Sequence, residues 1–392
     1  MPHIRFILVL LSIMTVNSYS AAQPVIWNIK TIDNARLKPT EASKKAIREA
    51  SKDLDIELVA ITDKPMTPPS GDKHDYMSIG RYWWPNPETS DGLPYIRKDG
   101  VVNPEIDKLD RVPLAKFTRN VYTLSLAYYL TGDEKYASKA VENLRMWFMD
   151  KKTKMNPNMN FGQTIPGHNE GKGRGEGVLD TYSFVEMLEG VELLKSSKEF
   201  TKSDRKALTD WFSTYLDWLL TSEIGQEETS AKNNHGVAYD VQIVRYALFV
   251  GKNDIARKYI DEFPEKRLFK QIEPNGAQPL ELARTTAFGY SVFNLTHFLD
   301  MAAMAKSMDI DLFDQTSSDG RSITKAIEFL LPYLGKSQED FPYKQIKDWE
   351  KVQTAFCWIL LRADNFLKKP AYKEAYSQYL PVNGTDNNYI LY

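Results

Sequence analysis

Cysteine is all but missing from this chain: a single residue, Cys357, stands in the apolar stretch Phe356-Cys-Trp-Ile-Leu-Leu361. With no partner in the chain it excludes intramolecular disulfides, and with no basic or polar neighbour to lower its pKa it reads as a small buried hydrophobe. Long apolar runs are missing as well. Past the N-terminal segment no stretch approaches the ~18 consecutive apolar residues of a membrane span. Histidine is scarce, with 5 in 392 residues. His74, His168, His235 and His297 are scattered, and none falls in a His-x-x-x-His or His-Glu-x-x-His spacing, so no metal centre and no cofactor is expected. Net charge is close to nil, −2 from 50 basic and 52 acidic residues. That excludes bulk attraction to nucleic acid or an anionic membrane, and any polyanion must be met by a local cluster.

What is present begins with a basic start, Met1-Pro-His-Ile-Arg5, an apolar run 6–16 and a small, polar stretch 17–22. That order is a signal peptide, with cleavage expected between Ser20 and Gln23. The mature chain, 23–392, is then expected to be soluble, periplasmic or secreted, and held together by a large core in place of disulfides. Aromatic residues reach 12%, with 8 Trp and 21 Tyr. Most must pack in the core, but flat rings also suit the apolar C–H faces of sugars.

From about Pro113 onward, apolar residues recur at three- and four-residue spacing between short polar breaks. Helices are expected over 114–130, 135–149, 178–197, 202–221, 238–250, 254–263, 281–307, 323–334 and 349–361. Stops such as Thr131-Gly132-Asp133 and Gly251-Lys252-Asn253 separate them. Short connections imply antiparallel hairpins. Three longer segments, 65–111, 150–177 and 223–236, are rich in Asn, Gly, Pro, His and aromatics. Loops of such length are usually functional, and they are expected to gather around one cleft. The fold class expected is all-α, a single (α/α)n toroid of antiparallel helical hairpins with long active-site loops.

Four constellations carry chemistry. Asn233-Asn234-His235-Gly236 precedes a helix, where an amide and an imidazole beside free backbone N–H groups suit a carboxylate. In Glu281-Leu-Ala-Arg284-Thr-Thr-Ala-Phe-Gly-Tyr290, a continuous helix would set Arg284 and Tyr290 roughly 120° apart at ~100° per residue, flanking a site without touching. Leu282, Phe293 and Leu295 read as core, and Glu281 as a possible ion-pair partner of Arg284. The run 163–177 combines glycines that let backbone approach a ligand with donors at Gln163, His168, Asn169, Lys172 and Arg174. It is no phosphate loop, because it lacks the terminal Gly-Lys-Ser/Thr and no strand precedes it. Finally, Gly80-Arg81-Tyr82-Trp83-Trp84-Pro85-Asn86-Pro87 puts adjacent indoles in a Pro-rich loop, where at least one ring is expected in a cleft.

Taken together and in order, Arg81-Tyr-Trp-Trp-Pro-Asn-Pro, Ile165-Pro-Gly-His-Asn-Glu-Gly, Asn233-Asn-His and Glu281-Leu-Ala-Arg-Thr resemble the alginate lyase superfamily of α/α-toroid polysaccharide lyases, over about 75–298. The nearest likeness is to its bacterial alginate and glucuronan lyases. The resemblance implies β-elimination on a 1,4-linked polyuronate, with mannuronate-rich alginate the expected polymer. It also implies catalytic roles for Asn234, His235, Arg284 and Tyr290, and substrate contacts from Arg81, Tyr82, Trp83, Trp84, Gln163, His168, Asn169, Lys172 and Arg174. Either Tyr290 or His235 could take the proton. One departure stands out: Gly289 occupies the place where relatives often carry His before the Tyr, and His168 is the expected substitute. A glycoside hydrolase on the same toroid would need two opposed carboxylates, for which Glu170, Glu176 and Asp180 are the candidates. A non-catalytic glycan-binding protein is the third reading.

Overall fold

The computed structural model describes residues 23–392; the expected signal peptide, 1–22, lies outside the described residues. Five helices with buried faces all round pack side by side: Arg111–Thr131, Ser183–Leu193, Asn234–Val250, Ala287–Lys306 and Trp349–Asp364. In Asn234–Val250 every residue from Gly236 to Ala247 is buried, the mark of a helix with neighbours on all sides. A second layer lies outside them. Glu134–Phe148 packs on Arg111–Thr131, Lys202–Thr221 and Asn253–Phe263 on Asn234–Val250, and Ile323–Leu330 on Ala287–Lys306. These outer helices are one-sided: Tyr136, Ala137, Ala140, Val141, Leu144 and Trp147 face in, while Glu142 stays in solvent. Two layers of alternating helices form the α/α toroid.

Local sequence sets the helix ends. Thr201 and Asp204 cap Lys202–Thr221 reciprocally, satisfying two orphan N–H groups at once. Gly251, at φ 77°, ends Asn234–Val250 in the left-handed conformation that costs glycine nothing. The two ends of the described chain meet, since Asn28 N donates to the Leu391 carbonyl at 2.7 Å. Buried Glu189 accepts from the Ile26 and Trp27 N–H groups at 2.7 and 3.0 Å and pairs with Arg245 at 2.7 Å. One continuous apolar cluster includes both Ile26 and Leu391.

Four segments differ from the periodicity reading. Helices Ile29–Leu37 and Glu41–Asp53 precede the region read as helical. The start of 178–197 is a tighter turn, Gly175–Tyr182, that becomes α-helix at Ser183. Within the loop 223–236 lies Glu223–Thr229, and the next helix already begins at Asn234. The expected helix 281–307 is two, Pro279–Leu282 and Ala287–Lys306, with an irregular break between. Arg284 sits in that break.

Two small sheets tie the long loops down. Met77–Ile79 pairs in parallel with Phe161–Thr164, and Trp83–Trp84 pairs antiparallel with Ile96–Arg97. The loop glycines serve the same end: a Cβ on Gly177 would lie 2.4 Å from the Gly162 carbonyl oxygen. Their bareness lets protein backbone meet protein backbone, where the sequence reading had expected a ligand.

Candidate active site

A cleft of about 610 Å³ opens where these loops converge. Arg81, Tyr82 and Trp83 line it from the first loop and Gln163 and Arg174 from the second. Asn234 and His235 enter from a helix start, Arg284 from the break and Tyr290 from the first turn of the helix that follows it. Trp84, His168, Asn169 and Lys172 are not brought in. Trp84 donates to the Val101 carbonyl at 2.9 Å, His168 bonds the Tyr95 carbonyl at 3.0 Å and meets the edge of Trp83, and Lys172 is a solvated surface side chain. Asn169 makes only a 3.4 Å contact with the Gly173 carbonyl. His168 therefore does not replace the histidine missing at Gly289. Phe293, read as core, lines the cleft instead.

The break joins the two residues the helical reading had kept apart. Arg284 Nη2 donates to the Tyr290 hydroxyl at 2.8 Å, and the guanidinium carbon lies 3.8 Å from the Tyr290 ring centroid. The Tyr290 hydroxyl is also 2.9 Å from that of Tyr82. Arg284, Asn234 and His235 are each gripped from behind by a carboxylate. Asp99 accepts from Arg284 Nη2 at 2.8 Å and from the Thr285 hydroxyl at 3.1 Å. Buried Glu281 takes both the Asn234 N–H and its amide Nδ2, each at 2.7 Å. It is thus the partner of Asn234, not of Arg284. Glu228 holds His235 Nδ1 at 2.7 Å, which leaves Nε2 as the free ring nitrogen. Asn233 caps the helix by accepting from His235 N–H, and the buried Arg267–Asp240 pair fixes the preceding turn through the Ala231 carbonyl.

At the other end of the cleft the arginines are held alongside acids. Arg174 reaches Glu176 at 2.5 Å and Gln163 Oε1 at 3.1 Å, while Gln163 Nε2 donates to Asp180 at 2.9 Å. Gln163 holds this post at φ 51°, a conformation costly outside glycine and kept only where contacts over-determine it. Asp180 accepts further from Tyr76 and Ser78. Arg174 also lies 6.0 Å above the Trp83 ring.

The family model of the alginate lyases matches residues 60–341. The chain belongs to the alginate lyase family. An alginate lyase from Bacteroides ovatus, known from its crystal structure, is 51% identical, with 95% of this chain and 99% of that one covered at a TM-score of 0.93. Alginate lyase A1-III from Sphingomonas species A1 is 15% identical over 93% of this chain and 86% of its own, at a TM-score of 0.54. A variant of A1-III complexed with a tetrasaccharide is 15% identical over 89% and 90%, at 0.59. These last two show a shared fold. No curated relative matches the chain.

This alginate lyase family member is a polysaccharide lyase, and its electrostatics bear on that chemistry. Burial alone would raise the Asp99 carboxyl, but hydrogen bonds and charge from Arg284 and Arg97 hold it down at about 2. Burial and the Tyr82 hydrogen bond push the Tyr290 phenol up, against the pull of Arg284, so it is protonated at rest. Burial opposes a charged His235, yet Glu228 outweighs it and raises the imidazole above its ordinary value. Burial raises Glu281 in turn, against the hydrogen bonds from Asn234. Among the described residues no group of three or more His, Cys, Asp or Glu is placed to hold a metal ion.

Asp99 and Glu228 escaped the sequence reading. Asp99 carries only an Asp-Gly turn signal, and Glu228 sits in a stretch taken for loop. His297 is fully buried against Tyr182 and Phe293 with neither ring nitrogen hydrogen-bonded to a described residue, and burial lowers its pKa to about 3.

Proposed function

We propose that this lyase cleaves 1,4-linked polyuronates, mannuronate-rich alginate first among them, by β-elimination, with the C6 carboxylate bound among Asn234, His235 and Arg284. The observation that carries the proposal is the Arg284–Tyr290 contact: a guanidinium and a phenol share one hydrogen bond beside the Asn234–His235 turn. Removing the C5 proton of a uronate builds negative charge on its carboxylate, and preformed donors lower that barrier most. Arg284 and the donors of Asn234 and His235 answer that need. The protonated Tyr290 phenol is poised to donate to the O4 leaving group. In mannuronate H5 and O4 lie on one face, so a single phenol can serve both. Tyr290 then starts by losing its resting proton to solvent, with Arg284 steadying the phenolate; the phenolate takes H5, and the phenol so re-formed gives that proton to O4 as the C4–O4 bond breaks and the C4–C5 double bond forms. For guluronate or glucuronate, where the two atoms lie on opposite faces, His235 Nε2 is the second group.

The hydrolase reading finds less support. A free opposed pair of carboxylates is what it needs, whereas the acids lining the cleft are engaged: Glu176 by Arg174, Asp180 by Gln163, Glu228 by His235 and Glu227 by the Gly175 N–H. Glu170 lies on an exposed loop outside the lining. The similar structures, alginate lyases and one of them with a tetrasaccharide bound, point the same way. The basic, apolar and small-residue order of residues 1–22 supports placing the enzyme in the periplasm or outside the cell.

The test is a product assay on alginate, poly-mannuronate, poly-guluronate and glucuronan. Ultraviolet absorbance from a C4–C5 unsaturated uronate should rise, fastest on poly-mannuronate. New reducing ends without that absorbance would establish hydrolysis, and binding without either would establish a glycan-binding protein.

A further inference from the structure

The helix that carries Tyr290 starts without a cap of its own. Ala287–Lys306 has Thr286 at its N-cap position, and no side-chain hydrogen bond from Thr286 serves it. Orphan N–H groups at such a start need acceptors. They come from a segment far downstream. Ala287 N–H donates to the Lys344 carbonyl at 2.9 Å, and Gly289 N–H donates to the side-chain oxygen of Gln345 at 3.2 Å, 56 residues away in sequence. Gln345 is 3% exposed, and its amide nitrogen donates to the Lys347 carbonyl at 2.7 Å. Ile346 N–H returns a bond to the Thr285 carbonyl at 3.1 Å, and Lys347 reaches the Gly100 carbonyl, next to Asp99, at 2.9 Å.

The stretch 344–347 thus threads between the two segments that position Arg284: the break itself and the loop bearing Asp99. It lies just beyond the residues matched by the family model. It also occupies the side of Gly289, whose missing Cβ would lie 3.7 Å from Gln345 Nε2 and 3.2 Å from Val352. Gly289 is thus covered by this strap.

We propose that Gln345 is a positioning residue: from outside the cleft it caps the Tyr290 helix and locks the 283–286 break, and so sets the Arg284–Tyr290 contact. The claim about the break stands on geometry, and its kinetic consequence rests on the lyase reading above.

The test compares full-length wild type, Gln345→Ala and Gln345→Glu by amide hydrogen exchange over 284–290 and by kcat and KM on poly-mannuronate. Rates are referred to folded protein at a temperature where the circular dichroism spectra coincide. Gln345→Ala should speed exchange within 284–290 and lower kcat by roughly ten- to a hundredfold with KM changed far less, as a misplaced catalytic pair requires. Gln345→Glu keeps the acceptor for the Gly289 N–H at a helix start that favours negative charge but loses the bond to the Lys347 carbonyl, and should recover part of the lost kcat and protection. Wild-type exchange in Gln345→Ala would overturn the brace whatever the activity. Faster exchange with unchanged kcat, or Gln345→Glu as impaired as Gln345→Ala, would overturn the positioning role. A wild type inactive on every polyuronate sinks the lyase reading alone, and exchange then decides the brace by itself.

Discussion

Arg284 and Asp99 face each other at 2.8 Å, 185 residues apart in sequence, so the guanidinium proposed to meet the substrate carboxylate is already aimed by a carboxylate of the protein. Such charge-assisted bonds fix geometry as much as they stabilise. Asp99→Asn keeps the shape and removes the charge. It should lower kcat roughly tenfold through a less well-placed Arg284. Asp99 is depressed to about 2 from an ordinary 3.8, so its stabilising pair is intact above that ordinary value and is lost as pH falls through about 2. Acid unfolding followed by fluorescence should show this arm flattened in Asp99→Asn. An unchanged kcat would remove Asp99 from the mechanism.

Tyr290→Phe deletes one oxygen that contacts both Arg284 and Tyr82. The ring beneath the guanidinium remains, so folding and much of the binding should survive. Turnover should fall on the order of 10²- to 10⁴-fold, the scale of a lost proton-transfer group. Steady-state kinetics beside calorimetric binding of an oligomannuronate separates the two. A near-normal rate would give the proton transfers to another residue.

Glu228→Gln tests what the His235 partner does. Glu228 raises the His235 pKa above 6.5 despite burial, so the pair's stabilisation is full below the unfolded value and is lost as pH rises through the folded one. With Gln in place, His235 should titrate at lower pH, visible in the imidazole proton shifts by NMR. The His235-dependent limb of the pH–rate profile should move the same way. A profile that stays put would mean His235 protonation does not govern the rate.

Much of this was legible in the chain because most of it is periodic. The amphipathic repeat of 134–148 and the Gly stops at 132 and 251 are local signals, and the structure keeps them. Asn234, His235, Arg284 and Tyr290 stood out because polar groups cluster in short motifs. Their mutual geometry did not. Periodicity drew one helix through Arg284, since Ala283, Ala287 and Phe288 continue the apolar spacing, and only pairing of Thr286 with Gln345 from a distant segment breaks it. Asp99 and Gln345 act through contacts between segments far apart in sequence, which no local pattern encodes, whereas Glu228 lies only 7 residues before His235 and was hidden by reading its short helix as loop. The glycines of 171–177 misled for a related reason: a bare Cα signals close approach without saying to what.

Gly289 offers the sharpest contrast between resemblance and packing. Its backbone is helical, where alanine gains roughly 0.5–1 kcal/mol over glycine, and an added Cβ would sit 3.2 Å from Val352 Cγ1. That contact is tight by a few tenths of an ångström, so Gly289→Ala should be close to neutral in Tm and kcat. Gly289→His supplies the residue that the family resemblance implies, but its ring must enter space held by Gln345 and Val352, and a strained insertion of this kind typically costs about 1–3 kcal/mol. Gly289→His should therefore lower Tm and reduce kcat together, with the Gln345–Gly289 hydrogen bond broken. Should Gly289→His instead raise kcat with Tm unchanged, the strap would be incidental, and the missing histidine would be a loss this chain never made good.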